Sequence, residues 1–124
     1  MTTARQFYVE LLYPVHPAEV NLKDGPSDVR KEVLDSRAGV VAEVALLRED
    51  QRVLVVVSAP FRGALSALQA ADSLAVELLG DLGSSAATAG LLAPVRVNVI
   101  DICRMSEELQ RSNAVPAVND GPKQ

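Results

Sequence analysis

Residues 52–58 carry Val53, Leu54, Val55, Val56 and Val57 without a break. β-branched residues dominate the run, so it reads as a strand. Side chains of a strand alternate between its two faces, so an unbroken apolar run makes both faces apolar. Such a strand belongs at the centre of a sheet with cover on each side. A chain of 124 residues is one domain, and a helix layer on one face leaves the second face in need of cover. Aromatic residues make up only 3% of the chain and Trp is absent, so the core is built from Val, Leu, Ile and Ala.

The flanking pattern supplies the rest of a sheet. Residues 6–14 read as a strand ended by Pro14, and residues 15–25 as a connection broken by Pro17 and Gly25. Residues 26–38 are predicted as a helix. Pro26 suits its first position, Val29, Val33 and Leu34 give it a narrow apolar stripe, and Gly39 can end it. Residues 40–47 read as a strand, and residues 48–51 as a polar turn that makes 40–58 a hairpin with a solvated tip. The clearest helix is 61–83. Leu65, Leu68, Ala71, Ala75, Leu78, Leu79 and Leu82 share one side at about 100° per residue, Asp72 intrudes on its flank, and Gly83 stops it. Residues 84–94 read as a mobile loop of small residues, 95–104 as the last strand and 105–111 as a helical turn. Residues 1–111 are expected to form a single α+β domain, with 112–124 a disordered tail.

That order of elements resembles the ferredoxin-like βαββαβ sandwich over residues 6–104. The resemblance implies a four-stranded antiparallel sheet with both helices on one face and a flexible C-terminal tail. Right-handed crossovers would set 6–14 beside 52–58 at the centre, with 40–47 and 95–104 at the edges. Alternation then assigns Phe7, Val9, Leu11, Ala42, Val44, Leu46, Val53, Val55, Val57, Val95, Val97 and Val99 to the helix side. The open face receives Tyr8, Leu12, Val41, Leu47, Leu54, Val56 and Ile100, with Ala45 and Ser58. The polar residues expected there are Glu10, Glu43, Arg96 and Asn98, and Glu10 is expected to pair with Arg96 across strands. A solvated face of an antiparallel sheet is mainly polar, so this one is an interface candidate.

Signals of chemistry are weak. The formal net charge is −4, without the basic stripe of a nucleic-acid binder, and no direct nucleic-acid contact is expected. Tyr8 alone on the central strands does not make an RNA-stacking sheet. No apolar run approaches the ~18 residues of a membrane span, and the N-terminus does not read as a signal peptide, so a cytoplasmic protein is expected. Single residues of each type, His16 and Cys103, supply neither a disulfide nor a multi-ligand zinc site, and no cofactor or metal is expected. His16 reads as an exposed loop residue and Cys103 as a buried structural one. The adjoining Val99 and Ile100 suggest a bulge that re-aims Asp101 into a turn or capping role. Ser58 and Arg62, ahead of the long helix, are weak candidates for holding an anion at its start. No catalytic residue is assigned.

Three functions are compatible with this reading. The first is a non-catalytic interaction or assembly module that pairs through the open face, as a homodimer or with another protein. The second rests on similarity to dimeric α+β barrels: a small-molecule-binding protein or cofactor-free enzyme with Tyr8, Glu10, Glu43, Arg96 and Asn98 lining its pocket. The third is an accessory or regulatory domain acting near nucleic acid through a partner.

Overall fold

The computed structural model describes residues 5–22 and 28–102. The expectations for Cys103, for the helical turn at 105–111 and for the tail at 112–124 lie outside the described residues. Five strands form: β1 (Arg5–Tyr13), β2 (Val29–Asp35), β3 (Val40–Leu47), β4 (Arg52–Phe61) and β5 (Arg96–Asp101). They make one sheet in the order β2-β3-β4-β1-β5, antiparallel throughout. The apolar run lies in β4, hydrogen-bonded on one side to β3 and on the other to β1.

The architecture is α+β, but it is not the ferredoxin-like one. The segment predicted as the first helix contains strand β2, a fifth strand at the sheet edge. Val29 and Val33 stand four apart, which satisfies a helical stripe. They also stand two strand repeats apart, and the register sets them opposite Ala45 and Val41. Leu34 turns to the other side after a register shift and packs on the core. Gly39, with φ 69°, sits in the hairpin turn rather than at a helix end. Asp35 Oδ1 accepts from the Arg37 and Ala38 amides at 3.1 and 3.3 Å and shapes that turn. A left-handed glycine serves a helix cap and a tight turn equally well, so Gly39 did not discriminate between them.

The helix side of the sheet follows the alternation. Phe7, Val9, Leu11, Ala42, Val44, Leu46, Val53, Val55 and Val57 are buried there, joined by Tyr13 and Ala59. The helix α1 (Ala64–Asp81) packs against β1, β4 and β5. Its buried line is Ala67, Ala71, Ala75, Leu78 and Leu79, whereas Leu65 is 67% exposed. Alanines four apart share one helix face and let it come close to a valine-rich surface. Of the apolar side read from the sequence, Ala71, Ala75, Leu78, Leu79 and Leu82 are buried and Leu68 packs on the core; Leu65 is the exception, and Ala67 joins the buried line. Each fully buried Val or Leu contributes roughly 1.5–3 kcal/mol relative to exposure.

The connection from β1 to β2 runs from the centre of the sheet to its far edge. It carries a 3-10 turn at Pro17–Glu19 and buries Val15, Pro17, Val20 and Leu22. These residues join the core cluster beside Leu78, Leu79 and Leu82, in place of the expected first helix. The Asn21 amide donates to the Leu82 carbonyl at 2.8 Å and ties the connection to the end of α1. The expected mobile loop after α1 is partly helical: α2 (Ser85–Thr88) is capped by buried Ser84, whose Oγ accepts from the Ala87 amide at 3.2 Å. In β5 the register runs evenly from Arg96 to Asp101, with no bulge at Val99 and Ile100. Asp101 shares the helix side with Phe7 and accepts from Arg5 Nη1 at 3.2 Å. Val95 precedes β5, is exposed, and donates its amide to the Leu12 carbonyl at 2.7 Å.

Gly83 holds this clamp. Its φ is 114°, and a Cβ there would lie 2.9 Å from the Glu19 carbonyl oxygen. The opposing atom is backbone and cannot swing aside. Gly83→Ala is expected to cost about 2 kcal/mol or more in urea unfolding. An unchanged midpoint would show that the connection does not lean on α1 at this point.

Candidate functional site

Three rows of the second face of the sheet cross all five strands, with the Gln6–Pro60 pair beyond them at one end and the Leu47–Arg52 pair at the other. One row reads Ile100, Tyr8, Ser58, Val41 and Val33. The middle row reads Asn98, Glu10, Val56, Glu43 and Lys31. The third reads Arg96, Leu12, Leu54, Ala45 and Val29. Leu47 extends the face at the end of β3. The residues named from the sequence as interface candidates therefore share one face, with the four polar candidates among them.

β2 adds Val29, Lys31 and Val33, which the helical reading of that segment missed. Val29 and Val33 are 49% and 60% exposed, and Tyr8 is 43% exposed. The signal was present in the sequence. Residues 29, 31 and 33 alternate with 30, 32 and 34, and Asp35 to Gly39 is turn chemistry between two runs of strand-forming residues. Leu54, Val56, Val41, Leu47 and Ile100 are half-buried, screened by their neighbours in the sheet, and Leu12 is buried.

Polar groups concentrate in the middle row. Asn98 Nδ2 donates to Glu10 Oε1 at 2.9 Å. Glu10 is thus held by Asn98, the residue opposite it, and not by Arg96, which lies opposite Leu12. Glu43 lies opposite Lys31, a favourable cross-strand arrangement of charges. Two shallow depressions lie on the face. One, of about 380 Å³, runs from Tyr8 and Glu10 to Lys31 and Glu43, with Val56 on its floor. The other, of about 460 Å³, lies between Leu12, Leu54, Asp50 and Arg96.

The anion candidates do not come together. Ser58 lies within β4, on the open face, and its Oγ accepts from Gln6 Nε2 at 2.8 Å. The helix begins only at Ala64, capped by Gly63 without a side-chain hydrogen bond, and Arg62 is exposed. His16 lies at the 3-10 turn, exposed, where its Nδ1 accepts from the Ala18 amide at 3.1 Å. Among the described residues no group of three or more His, Cys, Asp or Glu could hold a metal ion. No helix of the described residues is long and apolar enough to cross a membrane. The chain matches no protein-family model, no curated protein and no solved structure.

Beneath the sheet, one polar pair explains the Asp72 that interrupts the apolar side of α1. Tyr13 is fully buried at the end of β1, and its hydroxyl donates to Asp72 Oδ1 at 2.7 Å. Burial, then the hydrogen bond and the charge of Asp72, holds the Tyr13 phenol well above its ordinary range. The folded phenol keeps its proton after an unfolded tyrosine, with a pKa near ~10, has lost it. This contribution is therefore complete below about pH 10 and falls as pH rises beyond it. Tyr13→Phe is expected to be about 1.5 kcal/mol less stable than wild type at neutral pH, having lost a bond to a carboxylate. Above about pH 10 that gap should narrow by about 1.4 kcal/mol per pH unit, measured by urea unfolding across pH. A constant gap would show that the phenol ionises as readily folded as unfolded.

Proposed function

We propose that the chain is an assembly module that pairs with protein through the open face of its sheet. The observation that supports this reading is the distribution of cover. α1 and the β1–β2 connection bury the helix side of β1, β3 and β4, leaving Val97 of edge strand β5 37% exposed, whereas Tyr8, Val29 and Val33 stand exposed on the other side beside half-buried Leu54 and Val56. Four of its polar residues lie in the middle row, and apolar residues outnumber polar ones on the face. An apolar surface of this kind, with polar groups that fix orientation, is the composition of an interface centre. The barrel-type reading depended on the four-strand, two-helix layout, which does not form.

The test is Leu54→Lys combined with Val56→Lys. Both side chains point away from α1, so the variant is expected to keep its circular dichroism and cooperative unfolding. Its solution mass should fall to the 13.2 kDa of one chain, or, where the wild type is already that size, its solubility limit should rise severalfold. A variant that unfolds overturns the assignment of faces. A wild type that is monomeric and gains no solubility from the two lysines overturns the reading itself.

A further inference from the structure

Resting on that reading, we infer that the occupant of the face is a second copy of this chain, related by a two-fold axis parallel to the strands and midway between β3 and β4. The argument is one of charge. Packing two copies face to face requires an axis lying between the faces, and each placement sets different residues together. An axis along the middle row would set Glu10 and Glu43 each against its own copy. An axis along β4 would set Glu10 against Glu43 twice. Both place like charges across an interface, which costs affinity. An axis between β4 and β1 would leave β2 outside the overlap, with Val29 and Val33 still in water.

The axis between β3 and β4 exchanges β3 with β4 and β2 with β1. Glu10 of one copy then meets Lys31 of the other, twice by symmetry. Tyr8 meets Val33, and Leu12 meets Val29, so the three most exposed apolar side chains of the face are all covered. Leu54 meets Ala45. β5 falls outside the overlap, and it carries Arg96 and Asn98, as a polar rim would. Packed sheets are rotated by about 30°, and Lys31 lies roughly 7 Å from the axis. The resulting offset of about 4 Å is within reach of a lysine side chain.

The test uses two single variants of the whole chain, Glu10→Lys and Lys31→Glu, followed by sedimentation. Wild type is expected to dimerise. Each variant alone sets like charges against each other twice, and its dimer dissociation constant should rise by about tenfold or more. Mixed in equal amounts, the two variants carry two lysines against two glutamates. They should form a heterodimer within about threefold of wild-type affinity. A folding defect in either variant would not be repaired by mixing. If Glu10→Lys does not fold, Tyr8→Lys mixed with Val33→Glu sets one lysine against one glutamate in the adjacent row, and the mixture should associate more tightly than either variant alone. A monomeric wild type overturns the second copy. A dimer that withstands both single variants, yet is lost in Leu54→Lys alone, whose lysine would meet Ala45 and no carboxylate, overturns this register and leaves the assembly reading intact. A dimer that withstands Leu54→Lys as well overturns both.

Discussion

The pairing of β4 with β1 on one side and β3 on the other is the constraint from which the remaining structure follows. It places a strand that is apolar on both faces at the centre of the sheet, with its ladder groups satisfied along both edges. Val53, Val55 and Val57 are then buried under α1, and the alanine line of that helix allows the close approach that this needs. The helix layer has one side to cover and covers it. Leu54 and Val56 remain on the other side, flanked by residues that β1, β3 and β2 bring to the same face. The apolar character of the second face is thus a property of the whole sheet and not of one strand.

What was legible in the sequence is what a single physical pattern decides. β1, β3, β4 and β5 combine strand-forming residues with turn formers between them, and α1 has eighteen residues over which a period can show. The alternation in β4 separated Val55 from Val56 correctly because a fixed register in one strand settles both faces at once. β2 was not legible, because Val29, Val33 and Leu34 satisfy two periods and Pro26 and Gly39 suit a helix as well as the flanks of a strand. What decides it is the neighbour: β3 offers Ala45, Glu43 and Val41 in register, and the partner of a strand is not visible in a local window.

The candidate face shows the same division. Its membership from β1, β3, β4 and β5 follows from alternation alone. The partner of Glu10 does not, because Arg96 and Asn98 lie on the same face of β5 and a shift of two residues exchanges them. Charge type favoured Arg96; register selected Asn98. Asp72 stood out in sequence as a carboxylate on the flank of an apolar stripe, whereas nothing there marked Tyr13 as its partner. Only the packing of α1 across β1 makes each the explanation of the other. An interaction between residues fifty-nine apart depends on how a helix is set on its sheet, which a local window does not show.

The edges of the sheet sharpen the argument about the face. An open antiparallel sheet exposes two strand edges, and edge pairing is the common route to unwanted association. Here β2 alternates charge along its length, with Arg30 and Glu32 in contact on one side and Lys31 on the other. β5 carries Arg96, Asn98 and Asp101. Both edges therefore bear the charged residues that discourage edge-to-edge pairing. On the face the charges lie mainly in one row, and the rows on either side are chiefly apolar. A chain under pressure only to remain single would place charge over Tyr8, Val33 and Val29 as readily as along its edges. Protection of the edges together with exposure of the face fits association that is directed to the face.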